Sequence, residues 1–369
     1  MGKHHTPPSP AAGTPNGRLP SRTDVRNLTL VMAALAVFVI AMIASYSGAF
    51  AKPTLHHLAV AVAGPQQVVD GIRGQDTLDV TQVTNAAAAH DAVYQRSADA
   101  AFVVLPDGHM DVYVAGGGGR SVANAAETVG RGIAERAGLT TSVTDVAPTT
   151  AADPQGTVVF YAVIFLSIGA SLGAAAFGRM MGSVHAPSRL AWRTLSLVAF
   201  STLLAGGVTL YVDVVLGALT GHTLAVFGAL FLYAMAVGGA VTGVAAAFGT
   251  AASVGLAMFL VIIGNAAAAG PVGKPLLSGF YASLNAVVPQ GSGVALLRSV
   301  QYFGGNGAVT PLVTLLGWAA VGCVLAVGSA AVRSGALRSA LNYRPTHDDH
   351  RAGSPDGAVL RPRVTSPAD

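Results

Sequence analysis

Three polar side chains lie within or beside long apolar stretches of the sequence: Asp213, Asn265 and Arg298. Such groups are costly in the hydrocarbon of a membrane, and those that persist there mark candidate polar sites. Asp213 is the single acid within a predicted apolar helix, near its end, where water or lipid headgroups can reach it. A carrier driven by an ion gradient needs carboxylates or histidines near the bilayer centre, so this pattern disfavours one.

A nucleotide-binding loop of the form GxxxxGK[ST] does not occur in the sequence. Gly273-Lys274 is followed by Pro275, and Ala268 stands where the first glycine of the loop would be. The glycine run 116–119, followed by an arginine, resembles an anion cradle but has no acidic partner at the expected spacing, and we interpret it as a flexible connector. The sequence therefore predicts no cofactor in this chain.

Metal-ligating residue types are closest together at 347–350, which reads His-Asp-Asp-His. This segment is polar, lies between Pro345 and Gly353 and has no second cluster, so it is interpreted as a solvated tail. The single cysteine, Cys323, excludes a disulfide framework. No Ser/His/Asp or Cys/His arrangement has a supporting context, and the sequence predicts neither a metal site nor an enzyme.

The composition is that of a membrane protein. Hydrophobic residues make up 52% and charged residues 10% of the chain, with a mean hydropathy of +0.56, whereas soluble domains carry about 25% charged residues. The net charge of +4 comes mainly from arginines that are scattered over loop ends and tails. A scattered distribution argues against a nucleic-acid partner and in favour of the lipid bilayer.

Six apolar segments are predicted to cross the membrane. They are residues 28–50, 158–177, 195–216, 224–248, 253–269 and 311–332. The first is continuously apolar from residue 30 and long enough for a hydrocarbon core of about 30 Å. This span is expected to be an uncleaved membrane anchor. The alternative, a signal peptide that is cleaved near residue 51, stays open. The flanking segments, residues 1–27 and 333–369, are predicted to be disordered cytoplasmic tails.

Residues 51–156 are predicted to form an extracytoplasmic α/β domain between the first and second spans. Strands are expected at 58–62, 78–83, 100–105 and 110–115, and helices at 66–73, 86–96 and 121–137. Pro106-Asp107-Gly108 predicts a hairpin turn between the last two strands. The fold class is therefore an all-α membrane bundle of six helices, with residues 157–332 forming five of them and this domain inserted after helix one.

The distribution of basic residues predicts the orientation. Arginines concentrate in the two tails and in the short loop 179–193, while the opposite short loops carry almost none. Because cytoplasmic loops are enriched in Lys and Arg, both termini are expected in the cytoplasm of a bacterium, with the chain in its plasma membrane. Two pairs of small residues, Gly169 with Gly173 and Gly239 with Gly243, predict close helix packing, within the chain or in a dimer.

Several segments resemble a known family of membrane proteins. They are 57–62, 100–106, Gly264-Asn265, Val288-Pro289, Leu297-Arg298 and Tyr302-Phe303. A long first span, an outer α/β domain and a broken segment, 270–310, before the last span complete the pattern. In this respect the chain resembles the type-2 ABC exporter permease family, and within it the phage-infection-protein-like subgroup.

This resemblance implies a transmembrane permease that exports a hydrophobic or amphipathic substrate. It also implies a homodimer or heterodimer of permeases and a separate cytoplasmic ABC ATPase subunit that binds the ATP. The alternative is a non-transporting scaffold or receptor whose outer domain binds a partner. Five further spans are more than an anchor needs, which favours transport.

The loop 179–193 is the hypothetical contact for the ATPase, because it is the charged cytoplasmic loop of useful length. The residues assigned to this coupling element are Arg179, Met180, Met181, Arg189, Trp192 and Arg193. Simple anchoring by positive charge is the alternative for the same residues.

Overall fold

The described part of the protein is mostly helical and contains a small β-sheet. The computed structural model describes residues 21–181, 187–333 and 335, without the side chains of 181–190. The predicted tail 1–27 falls within the described residues only from residue 21, and the predicted tail 333–369 only at residues 333 and 335.

The first helix, α1, spans Arg22–Phe50 and begins earlier than the predicted start at residue 28. Its start is fixed by a capping box: the Asp24 N–H donates to the Ser21 hydroxyl at 3.1 Å, and the Ser21 N–H donates to the Asp24 carboxylate at 3.0 Å. Residues 22–27, assigned from the sequence to a disordered tail, are therefore helical. All side chains of residues 22–37 are exposed.

The five-stranded sheet follows α1 in the chain. Its elements are β1 (Leu58–Ala63), α2 (Gln66–Arg73), β2 (Leu78–Gln82), α3 (Ala86–Tyr94), β3 (Ala100–Val104), β4 (His109–Val114), α4 (Arg120–Ala137) and β5 (Thr140–Asp145). The strand order is β2-β1-β3-β4-β5, and β3 with β4 forms the predicted antiparallel hairpin while the other pairs are parallel. The predicted strands and helices are confirmed, and β5 is an element that the sequence analysis lacked.

Both faces of the sheet are covered, which explains the near-continuous burial of β1. Helices α2 and α4 pack on one face, against Val60 and Phe102. On the other face, α3 packs against Ala61 and Ala101 together with Phe303, a residue that lies far along the chain. The second core of the sheet is therefore completed by the C-terminal part of the protein.

The helices after the sheet form a packed bundle. They are α5 (Val158–Met181), α6 (Pro187–Leu210), α7 (Thr223–Phe248), α8 (Thr250–Phe259), α9 (Gly279–Asn285), α10 (Pro289–Tyr302) and α11 (Val309–Arg333). Short π-helical segments, Tyr211–Val215 and Leu260–Gly264, continue α6 and α8. Among the described residues, five helices are long and apolar enough to cross a membrane: α1, α5, α6 with its continuation, α7 and α11.

The predicted fifth span, 253–269, forms a shorter apolar helix, Thr250–Gly264. The chain turns soon after it, because Ala269 takes a left-handed conformation with φ of 57°. The following stretch returns to the bundle as α9 and α10, and Pro289 opens α10 at a position where its missing N–H costs nothing.

The predicted glycine pairs allow close helix contacts within the chain. A Cβ atom at Gly173 would approach Phe200 Cδ1 of α6 to 2.7 Å, and one at Gly243 would overlap the carbonyl oxygen of Gly322 on α11. Gly169 faces Leu204 of α6 at ordinary contact distance. The packing role predicted for these pairs is confirmed for Gly169, Gly173 and Gly243.

The glycine run 116–119 is a packed element where the sequence suggested a flexible connector. A Cβ atom at Gly117 would come within 2.6 Å of the Tyr302 Cβ atom, and one at Gly119 within 3.5 Å of the Arg298 guanidinium. The absence of side chains therefore lets the sheet lie directly against the end of α10.

Candidate functional site

A cavity of about 400 Å³ lies where the sheet meets the helical bundle. Its walls include the turn between α3 and β3, the glycine run with the start of α4, the segment 268–275, the end of α9, the inner face of α10 and the first turn of α11. The charged residues in its lining are Arg96, Asp99, Lys274 and Arg298. Its volume is in the range of small-molecule sites, which occupy about 300–1,000 Å³.

Arg298 is the most buried charge of this cavity, with 5% of its surface exposed. Its guanidinium donates to the Ala269 carbonyl oxygen at 3.4 Å and to the Gly270 carbonyl oxygen at 3.0 Å. No described carboxylate lies within ion-pair distance of it. Burial, with a smaller contribution from Arg96, lowers the pKa of Arg298 to about 10. The group stays cationic at neutral pH.

Arg96 joins the sheet to α10. Its Nη1 atom donates to the Ala295 carbonyl oxygen at 2.9 Å and to the Ser299 hydroxyl. The guanidinium carbon lies 5.0 Å from the centre of the Phe303 ring, a cation–π contact. Arg96 has a left-handed φ of 61°, which is uncommon for a residue with a side chain. Two hydrogen bonds and one cation–π contact therefore hold the α3–β3 turn against α10 and the residue that follows it.

Asp99 is the single carboxylate in the cavity lining. One of its oxygens accepts from the Ala59 N–H at 3.1 Å, at the start of the central strand pair. Burial raises the pKa of Asp99 above its ordinary value, although the Ala59 N–H, Arg96 and Lys274 act in the opposite direction. The ionised form is therefore disfavoured in the folded protein.

Replacing Asp99 with asparagine is expected to raise the melting temperature at pH 7 and to change it much less near pH 4. The folded protein binds a proton at Asp99 more tightly than the unfolded chain does. The protonated Asp99 therefore stabilises the folded state below the ordinary pKa of 3.8, and this stabilisation is lost as the pH rises through the raised pKa of the folded protein. Asparagine keeps the acceptor for Ala59 without titrating. Melting curves of both proteins in detergent at the two pH values measure this difference; an equal shift at both would contradict it.

The three predicted polar positions lie in different environments. Arg298 lines the cavity, whereas Asp213 lies in the π-helical end of α6 and accepts a hydrogen bond from the Thr223 hydroxyl at the start of α7. Asn265 is fully buried, and neither polar atom of its amide has a hydrogen-bond partner among the described residues. The structure therefore brings only Arg298 of the three into the cavity.

The predicted coupling residues lie at the end of the α5–α6 pair. Arg179 and Met180 are exposed there, and Trp192 is 66% exposed. Arg193 differs from them, because it is 4% exposed and packs against Gly178 of α5. The side chains of Met181 and Arg189 lie outside the described residues.

A second polar cluster lies in the centre of the bundle. The Gln290 amide donates to the Ser167 hydroxyl and to the Leu260 carbonyl oxygen, both at 3.0 Å. Leu260 belongs to a π-helical segment, a form that often occurs at functional positions. The amide oxygen of Gln290 has no hydrogen-bond partner among the described residues. This cluster joins α5, α10 and the end of α8.

The roles of Arg96, Asp99 and Lys274 could not be predicted from the sequence. Arg96 and Asp99 flank a predicted helix end and resemble ordinary surface charges, because the partner of Arg96 on α10 lies 203 residues away. Lys274 follows Gly273 as in a nucleotide-binding loop, but the rest of that motif is missing. A buried arginine in α10 was the one available signal, since it implied a polar environment near that helix.

The described residues contain no group of three or more His, Cys, Asp or Glu side chains that could hold a metal ion. The lining of the cavity offers charged and hydrogen-bonding groups between apolar walls. In comparisons with known proteins, no family model, no curated protein and no solved structure matches the chain.

Proposed function

We propose that the chain is the membrane permease subunit of an ABC-type exporter, which moves a hydrophobic or amphipathic substrate outward with energy from a separate ATPase. The observation that carries this proposal is the position of α10. Most of its residues are buried, and it contacts α5, α7 and α11 as well as the sheet. A rearrangement of the bundle would therefore move the cavity walls and the sheet together, which an anchor does not require.

The proposal includes a membrane topology of six spans. The helix Thr250–Gly264 would be the fifth, and the sheet domain, residues 51–156, would lie outside the plasma membrane of a bacterium. Arg22 lies at the start of α1, Arg179 lies in the last turn of α5, and Arg333 lies at the end of α11. The sheet follows the end of α1 and precedes the start of α5 in the chain. By the positive-inside rule, this distribution supports cytoplasmic termini.

The ATPase would contact the cytoplasmic end of the α5–α6 pair, and the permease would act as a homodimer or heterodimer. Among the described side chains at this end, Met180 is 82% exposed and Trp192 is 66% exposed. Exposed Trp and Met residues are enriched at protein interfaces relative to the rest of the surface. Arg179 would supply charge complementarity at the rim.

Purification of the tagged full-length protein from its native membrane tests the proposal, by asking whether a nucleotide-binding subunit copurifies in stoichiometric amount. We expect a double Met180→Ala, Trp192→Ala variant to lose this subunit by about tenfold or more, because truncated central Trp residues often cost over 1.4 kcal/mol of binding.

A Leu224→Ala variant is the matched control. Leu224 is 85% exposed and lies at the opposite end of the bundle, near the turn between α6 and α7. In that turn, the Ala218 carbonyl oxygen accepts a hydrogen bond from the Thr150 hydroxyl. It should retain the ATPase subunit. The absence of any nucleotide-binding subunit with the unchanged protein would contradict the exporter proposal.

The second candidate is a non-transporting receptor or scaffold. The cavity beside the sheet favours it, because a ligand bound there could act on the sheet alone. The same purification separates the two functions: a receptor would copurify partners of the outer domain and no ATPase.

A further inference from the structure

The cavity at the junction of sheet and bundle has an unbalanced charge. Arg96, Lys274 and Arg298 are its cations and Asp99 is its single carboxylate, so the ionised lining carries two net positive charges. Buried charges are normally paired, because removing an unpaired ion from water is costly. A ligand with negative charge would supply the missing partner.

The hydrogen-bonding capacity of the arginines is only partly used. A guanidinium carries five N–H donors, and Arg298 directs two contacts to the carbonyl oxygens of Ala269 and Gly270. Arg96 uses one terminal nitrogen for its contacts with α10. The remaining donors of these two side chains, with the Lys274 ammonium, suit the several oxygens of a phosphate group.

The rest of the lining is mainly apolar. Val93 and Val122 come from the sheet domain, Val294 and Pro311 from α10 and α11, and Phe303 from the turn that follows α10. The cavity lies at the first turn of α11, one of the helices long enough to cross a membrane. Charge and apolar wall therefore meet at the end of the bundle, where a headgroup and the start of an acyl chain meet in a bilayer.

We propose that this cavity binds a phosphate-bearing amphipath. Arg298, Arg96 and Lys274 hold the phosphate, and the apolar walls hold the first part of the attached chain. The assignment of this ligand as the exported substrate rests on the proposed function, but binding itself does not. Its test needs no ATPase, so a failure of binding and a failure of ATPase association are separate results.

Ligand affinities of the purified full-length protein in a neutral detergent test this site. The probes are dioctanoyl phosphatidic acid, dioctanoylglycerol with the same chains but no phosphate, and inorganic phosphate. We expect phosphatidic acid to bind at least about tenfold more tightly than either of the others, since charge-assisted hydrogen bonds to phosphate add to the apolar contact. Equal binding of dioctanoylglycerol overturns the phosphate site, and equal binding of inorganic phosphate overturns the amphipath.

Two substitutions locate the binding. Lys274→Gln should weaken phosphatidic acid binding by about threefold to tenfold, because it removes one charge from an exposed side chain whose other described interaction is the electrostatic one with Asp99. Arg298→Lys should weaken it by about tenfold, because the ammonium lacks the planar fork. Lys52→Gln, at an exposed lysine outside the lining, is the matched control. If Lys274→Gln binds phosphatidic acid as tightly as Lys52→Gln does, the proposal is wrong, whether or not the Arg298 variant folds.

Discussion

Replacing Phe303 with alanine is expected to lower the free energy of unfolding by roughly 3 to 5 kcal/mol, the usual cost of deleting a fully buried phenylalanine ring. Phe303 is 1% exposed and belongs to the second core of the sheet. Its ring also lies under the Arg96 guanidinium and 6.3 Å from the ring of Tyr94. Removing it leaves a hole at the junction and takes away one of the contacts that hold Arg96.

The effect should be local to the junction as well as large. We expect the sheet domain of the Phe303→Ala variant to be cleaved by protease faster than the helical bundle. Phe280→Ala is the control, since Phe280 is 62% exposed, and it should change stability by about 0.5 kcal/mol or less. Thermal melting and timed proteolysis in detergent measure both. Equal melting temperatures for the two variants would show that α10 does not hold the sheet.

Replacing Gly243 with alanine is expected to destabilise the bundle by about 3 kcal/mol, the upper end of the usual cost of overpacking. The added Cβ atom would overlap the carbonyl oxygen of Gly322 and lie 2.8 Å from its Cα atom, so α7 and α11 would have to separate. Backbone atoms cannot rotate away as a side chain does. Loss of the monodisperse peak in size-exclusion chromatography and a lower melting temperature are the expected results.

Gly239→Ala is a closely matched control for this substitution. It lies one turn earlier on the same helix, and a Cβ atom there would meet nothing within 4 Å. Both substitutions gain the same helix propensity, about 1 kcal/mol, so the difference between them measures the packing cost. A Gly243→Ala protein as stable as the Gly239→Ala protein would contradict the close approach of α7 and α11.

The long helices could be predicted from the sequence because their signal is local. Residues 158–177, 224–248 and 311–332 are mostly apolar and contain no charged residue, and each lies within the helix that the structure shows. The hairpin at Pro106-Asp107-Gly108 was predictable for the same reason, since the turn residues determine it. Strand β5 was missed because its sequence, TTSVTD, contains one large apolar residue, and the strand gains its place by pairing with β4.

The candidate site was much less predictable, because contacts across the chain create it. Arg298 could be singled out as a charge in an apolar context, but its partners are backbone carbonyls that any sequence would supply. The short fifth apolar helix illustrates the same limit. Its predicted end at residue 269 was wrong, because the apolar helix ends at Gly264 and Ala269 takes a left-handed conformation. Residue type alone favours helix there.

Residues 22–37 of helix α1 bury no side chain against the described remainder of the chain, since every side chain there is exposed. Its described contacts with the bundle are near its end, where the Ser45 hydroxyl donates to the Ile262 carbonyl oxygen and lies 3.1 Å from the Tyr281 hydroxyl. Lipid alone satisfies such a helix, because its backbone bonds are internal. During synthesis on the ribosome, α1 can therefore enter the bilayer before α5 has been translated, and docking of its last turns is a later step.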